Sequence, residues 1–416
     1  MTMDHSRPDQ NAEKGTPLDL RRLATVLAAG FFSTTLAQPE VIELPLQGLL
    51  KEVLHLSVTQ MSLFFSIGAL AWYCKPFVGI IADSYPLLGT HRLGYIVLGA
   101  VIAAACWLAA GVAPLRYAFL LGMVLMINAG LVIASTAVGG LLVEVSRRYD
   151  ASARLVPMRS VVTRACLLVG GPLGGFLASF AFGLSTVICA MVALLVAPIA
   201  MIWLHERAAP KDSLLAWQNA KLQIRGLLHS RSVWGFAALA FLVLGVPDFH
   251  DKPLYYYRID VLHFSPNLIG WLKAAAAAAG FAAAFIYYRG RPRCSLEWLI
   301  VPSILLNAAG ALAYLLYASP VSAVFIDVTD GFLATILGLV LMEIAVKSSP
   351  SGSEAFTLSL LLSVFNLADA VSDYFGALLY DSYTASFFFH LVWINAVGTA
   401  ATALIAPSLM RWIGSK

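Results

Sequence analysis

Arg159, Arg164 and Lys273 are cations, and Asp330, Asp369 and Asp373 acids, set in stretches otherwise built of Ala, Leu, Val, Gly and Phe. A cation in apolar surroundings can hold an anionic group, and arginine does so through a two-pronged pair with a carboxylate. A carboxyl facing a cavity can take up and release a proton. For each of these residues the competing reading is an ion pair that fastens two helices. Asn366, Asp369 and Asp373 recur at i, i+3 and i+7, which places them on one helical stripe. Such a stripe is too polar for lipid and is predicted to line a central cavity. Asp369 and Asp330 are the first candidates for proton coupling, with Glu43 and Asp373 beside them. Lys75 lies two turns before Asp83 on about the same face, so a pair between them is favoured over substrate capture. Asp248, His250, Asp251 and Lys252 cluster beyond Pro247, where a helix break is expected, and no metal site is expected there.

These side chains need apolar elements to carry them, and the composition supplies little else. The chain has 416 residues, 60% apolar and only 12% charged, with mean hydropathy +0.80. Soluble domains carry about twice that charge, which excludes a soluble enzyme, a disordered chain and a nucleic-acid-binding module. A net charge of +4 suggests no polyanionic partner. The five cysteines stand far apart without metal-ligand spacing and are read as apolar fillers. The polar run Met1 to Asp19 does not resemble a cleaved signal peptide.

A membrane-crossing helix needs roughly 20 mostly apolar residues. Twelve stretches qualify: roughly 23–46, 57–83, 93–112, 116–144, 156–181, 184–204, 233–257, 266–288, 296–318, 321–346, 354–380 and 384–410. The longest polar interval divides them six and six. The predicted organisation is a tail (1–22), a six-helix bundle (23–205), a linker (206–232), a second bundle (233–411) and a short tail (412–416). With both termini cytoplasmic, 19 of the 27 basic residues fall on the inside, while Lys51, Arg116 and Arg258 lie in outer loops or at their edges. That asymmetry obeys the positive-inside rule. The layout resembles the major facilitator transporters, built from two pseudo-symmetric six-helix bundles around a midplane site. Gly79-Ile-Ile-Ala-Asp83 has the spacing of that superfamily's loop 2–3 signature.

Trp72-Tyr-Cys-Lys75-Pro76-Phe-Val-Gly79, followed by Asp83, Pro86, Gly89, Arg92 and Tyr95, resembles a run in the folate/biopterin transporter family. Tyr255-Tyr-Tyr257 with Leu262-His-Phe-Ser-Pro266 is a second patch. Pro350-Ser-Gly352-Ser-Glu354 with Asn366 and Gly376-Ala-Leu-Leu379 is a third. Two positions depart from the pattern: Gly139-Gly140 stands where the family tends to have an aspartate, and Met158-Arg159-Ser160 where a Gln-Ser pair is more familiar.

The resemblance implies a secondary transporter of folate or pterin-like anions, proton-coupled and working by alternating access. Arg164, Lys273, Arg159, Lys75 and Asn366 are the expected substrate-binding residues, with Tyr256 and Phe365 as faces for a flat ring. Asp83, Arg92, Glu144 and Glu354 are the expected gate residues. No enzyme activity, cofactor or nucleic-acid partner is expected. The partners are then the anionic substrate, protons and the bilayer, for a monomer in a bacterial inner membrane. The alternatives are a proton-coupled exporter of drugs or metabolites on the same fold, or a non-transporting sensor or assembly factor.

Overall fold

The computed structural model describes residues 17–39, 42–87, 89–112, 114, 116–206, 225, 229–245, 249–290, 296–348, 354–383 and 387–414. They form twelve helical passes. Inner denotes the end of the bundle at which the first pass starts, and outer the opposite end. Pass α1 is Pro17–Leu36, resuming as Glu43–Gly48 and a π-turn Leu49–Val53. Pass α2 is Val58–Gly68, Leu70–Tyr73 and Lys75–Ser84. Then come α3 Leu93–Val112, α4 Tyr117–Arg148, α5 Ser152–Leu177, and α6 as Phe182–Leu194 with Val196–Trp203. Pass α7 is Arg231–Gly245, resuming as Asp251–Tyr256 and a π-turn Tyr257–Val261. The rest are α8 Pro266–Gly290, α9 Leu296–Ala311 continued by Leu312–Leu316, α10 Pro320–Ser348, α11 Glu354–Tyr383 and α12 Phe388–Gly414.

Eight of these passes are long and apolar enough to cross a membrane by themselves: α3 to α6, α8 to α10 and α12. The remaining four, α1, α2, α7 and α11, are broken, interrupted or acidic. The first pass, expected as one span over 23–46, breaks between Leu36 and Glu43. Pro39 lies in this interval and cannot donate the i−4 bond a continuous helix needs.

The breaks in α1 and α7 belong to an internal repeat. Pro39 and Pro247, Glu43 and Asp251, Pro45 and Pro253, Glu52 and Asp260, His55 and His263, and Ser57 and Ser265 each stand 208 positions apart. The backbone repeats with them. Each resumed helix has six residues and runs into a five-residue π-turn, and each ends near a histidine at positive φ, 51° at His55 and 54° at His263.

Packing is uneven along the bundle. One apolar core at the outer end draws on both sequence halves, with Leu46, Leu50, Met61 and Phe64 beside Leu254, Tyr257, Phe388 and Leu391. Two inner-end cores do not mix: one uses only residues between Leu20 and Leu204, the other only residues between Val233 and Met410. Polar contacts follow the same division. At the outer end Lys51 pairs with Asp260 at 2.5 Å, and the Tyr256 hydroxyl donates to the Leu56 carbonyl at 2.7 Å. The Asp381 carboxylate accepts from the Val58 and Thr59 amides at 3.3 and 2.8 Å, capping α2 from α11. The bundle is thus fastened at its outer end.

Passes α5 and α8 approach each other backbone to backbone at Gly171, Gly175 and Gly270. A Cβ on Gly270 would lie 2.4 Å from the Gly171 carbonyl oxygen, and one on Gly175 2.7 Å from that of Pro266. Small residues permit this approach in a bilayer. Replacing Gly270 by Val should therefore cost about 1–3 kcal/mol through overpacking. The expected outcome is a lowered unfolding temperature of the purified protein, with no comparable change for Gly122→Ala, where a Cβ meets open space.

Candidate functional site

A cavity of about 420 Å³ opens between α1, α2, α7 and α11, the four passes that are not simple apolar spans. Its wall on α2 runs from Phe65 through Trp72 and Tyr73 to Lys75. On α11 it runs from Ser359 through Asn366 and Asp369 to Asp373, with Lys252 contributed by α7. The stripe predicted on α11 therefore does line the cavity. Trp72 is held by its indole N–H, which donates to Asn128 Oδ1 at 3.0 Å, while the Asn128 amide donates to the Gly68 carbonyl at 3.0 Å. The Ser363 hydroxyl reaches across to the Trp72 carbonyl at 3.2 Å. Lys75 donates to Ser135 Oγ at 2.9 Å and lies 4.8 Å from the Trp72 ring centroid. It thus turns to α4, where a pair with Asp83 was expected; the Asp83 side chain lies outside the described residues.

The outer end of the cavity meets an ionic network. Glu43 on α1 is hydrogen-bonded through Oε1 to Lys273 on α8 and lies 3.7 Å through Oε2 from Lys252 on α7. Lys252 also pairs with Asp251 at 3.2 Å and with Asp373 on α11 at 3.4 Å. Glu43 joins the first sequence half to α7 and α8 of the second, and through Lys252 to α11. Lys273, expected to hold an anionic group or else to pair with another helix, is a partner in this network and does not line the cavity. Lys252, placed by sequence in an outer cluster only, is its centre.

A second network was not anticipated. Arg258 Nη2 pairs with Asp327 Oδ2 at 2.5 Å, Arg258 Nε donates to the Tyr317 hydroxyl at 2.7 Å, and that hydroxyl donates to Asp327 at 3.1 Å. All three side chains are buried. Asp330 lies near Tyr314 and is not part of the cavity wall. The available signal was the place of Arg258 directly after three tyrosines, at the edge of an apolar span.

The other expected site residues stand away from this cavity. Tyr256 is buried in the shared outer core, its hydroxyl engaged with Leu56. Phe365 packs on Phe236, with ring centroids 6.0 Å apart, against the second inner core. Arg164 lines a separate hollow of about 340 Å³ between α5, α8 and α10, 5.9 Å from the Phe281 ring. Arg159 lies over Phe31 at 5.3 Å, close enough to Lys75 for the two charges to repel. At the inner end Arg92 Nε and Nη2 both reach Glu144 Oε1, at 2.8 and 2.6 Å. Gly140 makes room for this, since a Cβ there would lie 2.4 Å from the Arg92 guanidinium carbon. Glu206 accepts from the Arg92 and Leu93 amides at 3.1 and 3.0 Å, capping α3. Glu354 begins α11, and its side chain lies outside the described residues. Among the described residues no group of three or more His, Cys, Asp or Glu is placed to hold a metal ion.

The sequence profile of the BT1 family matches residues 39–415. The "Folate-biopterin transporter" of Synechocystis sp. is 26% identical over 391 residues, covering 86% of this chain and 76% of that one. "Folate transporter 1" of Plasmodium falciparum is 23% identical over 351 residues, covering 80% and 68%. Among solved structures, a bacterial homologue of the human lysosomal transporter Spinster in an inward-facing, unoccupied conformation superposes with a TM-score of 0.68 at 16% identity, covering 96% of each chain. At that identity the likeness concerns the fold, which is that of the major facilitator transporters.

Removing one member of a buried ion pair strands its partner and costs about 3–5 kcal/mol. Lys252→Met leaves Glu43, Asp251 and Asp373 short of a counter-charge, so its unfolding temperature should fall clearly. Adding Asp373→Asn should recover part of the loss, measured by thermal unfolding of the two variants side by side. Equal losses from the single and double variants would remove Lys252 from the centre of the network.

Proposed function

The chain belongs to the BT1 family, a multi-pass membrane transporter with the major facilitator fold, and from that premise we propose that it carries folate or pterin-like anions by proton-coupled alternating access. The observation that carries the reading is the cavity itself, where an aromatic face at Trp72 and Tyr73 stands beside Lys75 on one wall and Asn366, Asp369 and Asp373 on the other. A flat heteroaromatic ring suits the first and its polar edges the second. Similarity to two transporters named for folate supports the same cargo.

The coupling proposal rests on charge balance. Glu43, Asp251 and Asp373 surround two ammonium groups, Lys252 and Lys273, so with all five ionised one negative charge is left over. A proton on Glu43 or Asp373 balances the set and loosens the hold between α1 and the second half. In this scheme the bundles 23–205 and 233–411 are the bodies that rock, the outer-end core being the contact that opens. Arg92, Glu144 and Glu206 keep the first body together at its inner end, with Asp83 and Glu354 as further gate positions. Asp330 stands behind Tyr314 as a reserve proton site, while Asp369 faces the cargo. The excess of basic residues on the inner loops supports cytoplasmic termini, and we place the protein, as a monomer, in a bacterial inner membrane.

The test is uptake of labelled folate and biopterin into liposomes holding the purified protein. An inwardly directed proton gradient should speed uptake several-fold, and Glu43→Gln should abolish that response and lower uptake about tenfold or more. Failure to bind or carry either compound retires the cargo, and proton flux driven instead by unrelated drugs selects an exporter. Folate uptake blind to the gradient retires the coupling alone.

A further inference from the structure

A folate-type molecule carries different chemistry at its two ends. Its pterin ring presents an amino group and a ring N–H side by side, an edge that one carboxylate accepts in two parallel hydrogen bonds. Its tail ends in carboxylates. The cavity wall is divided in the same sense. Toward the outer end Asp373 is already paired with Lys252. Asp369, one turn inward and exposed to the lumen, has no hydrogen-bond or ion-pair partner among the described residues, and Asn366 continues its stripe. Toward the inner end Lys75 has only a neutral partner, Ser135. Arg159, behind the cavity wall rather than on it, is near enough to repel Lys75 and rests on the Phe31 ring. Neither cation has an acidic partner among the described residues.

The vertical spacing follows from one contact. The Ser363 hydroxyl on the Trp72 carbonyl sets those two residues at one level. From there Asp369 lies six residues outward on α11 and Lys75 three residues inward on α2, together roughly 13 Å of helix rise. Trp72 and Tyr73 supply the aromatic wall between.

We propose that the cavity takes its cargo in a single orientation, with the pterin edge outward on Asp369 and Asn366, the ring along Trp72, and the carboxylate tail inward on Lys75 and Arg159. This rests on the folate and pterin reading above and adds which end of the molecule each wall recognises. A pterin with only a short neutral side chain ends short of Lys75 and uses the acidic end alone. Lys75 is then the residue that separates glutamate-bearing folates from free pterins.

Equilibrium binding to the purified protein isolates recognition from coupling. Lys75→Gln should weaken folate binding about tenfold or more and biopterin binding by far less, so that the folate-to-biopterin affinity ratio falls. Lys75→Arg, which keeps the charge, should hold that ratio near the parent value. Asp369→Asn should weaken both ligands by about the same factor and leave the ratio where it was. A folate analogue with methyl in place of the 2-amino group keeps only the ring N–H as a donor on that edge, so Asp369→Asn should weaken it by a smaller factor than it weakens folate. Equal loss of both ligands in Lys75→Gln, or unchanged binding of both in Asp369→Asn, overturns the orientation while leaving the cargo in place. Absence of any folate or biopterin binding by the parent protein overturns the cargo reading and the orientation together.

Discussion

Glu43 is a buried carboxylate on which the two sequence halves meet, held by Lys273 and lying within 3.7 Å of Lys252. An unpaired charge at this depth costs at least about 2.5–3.5 kcal/mol on insertion scales, so each member constrains where the others can be. Lys273 brings α8 against α1, and Lys252 brings α7 and, through Asp373, α11. The aromatic residues packed around the outer end then fill the space that this ionic contact has already closed. The same arrangement leaves the inner ends of the halves with separate cores, and the cavity is the space between a joined end and a parted one.

The broken passes explain how the network is built. A continuous helix would bury its backbone polar groups along its whole length. Interruption in α1 and α7 frees backbone and turns short charged segments toward the axis, which is tolerated at membrane depth where protein or a cavity surrounds it. Glu43 and Asp251 occupy equivalent places in the repeat, each opening its resumed helix. Lys252 is the departure from symmetry, standing where the first half has Leu44, and that single difference supplies the second half with the cation that Glu43 meets. The inner end is organised differently: Arg92, Glu144 and Glu206 all belong to the first half, so their bonds stiffen one body and impose no contact with the other.

Much of the fold could be read directly. Length and hydropathy locate a membrane span because the bilayer demands about 20 apolar residues wherever it is crossed, and the basic residues locate its loops. The α11 stripe of Asn366, Asp369 and Asp373 was legible for a related reason, since helical periodicity alone puts those side chains on one face.

Partnership between charges was not legible. A sequence shows that Lys273 lies in an alanine run. It does not show that a glutamate 230 positions earlier faces it, because that depends on how α1 and α8 are rotated about their own axes. For the same reason Arg164 turned out to face a hollow of its own, and Tyr256 and Phe365 turned out to be packing residues. Arg258, counted only as a loop charge, proved to be the buried partner of Asp327. Sequence by itself determined how many times the chain crosses, which passes carry charge, and the family. Tertiary structure alone decided which charges neutralise one another and which remain free to meet a ligand, because desolvation and pairing are set by neighbours that the chain brings together only when it folds.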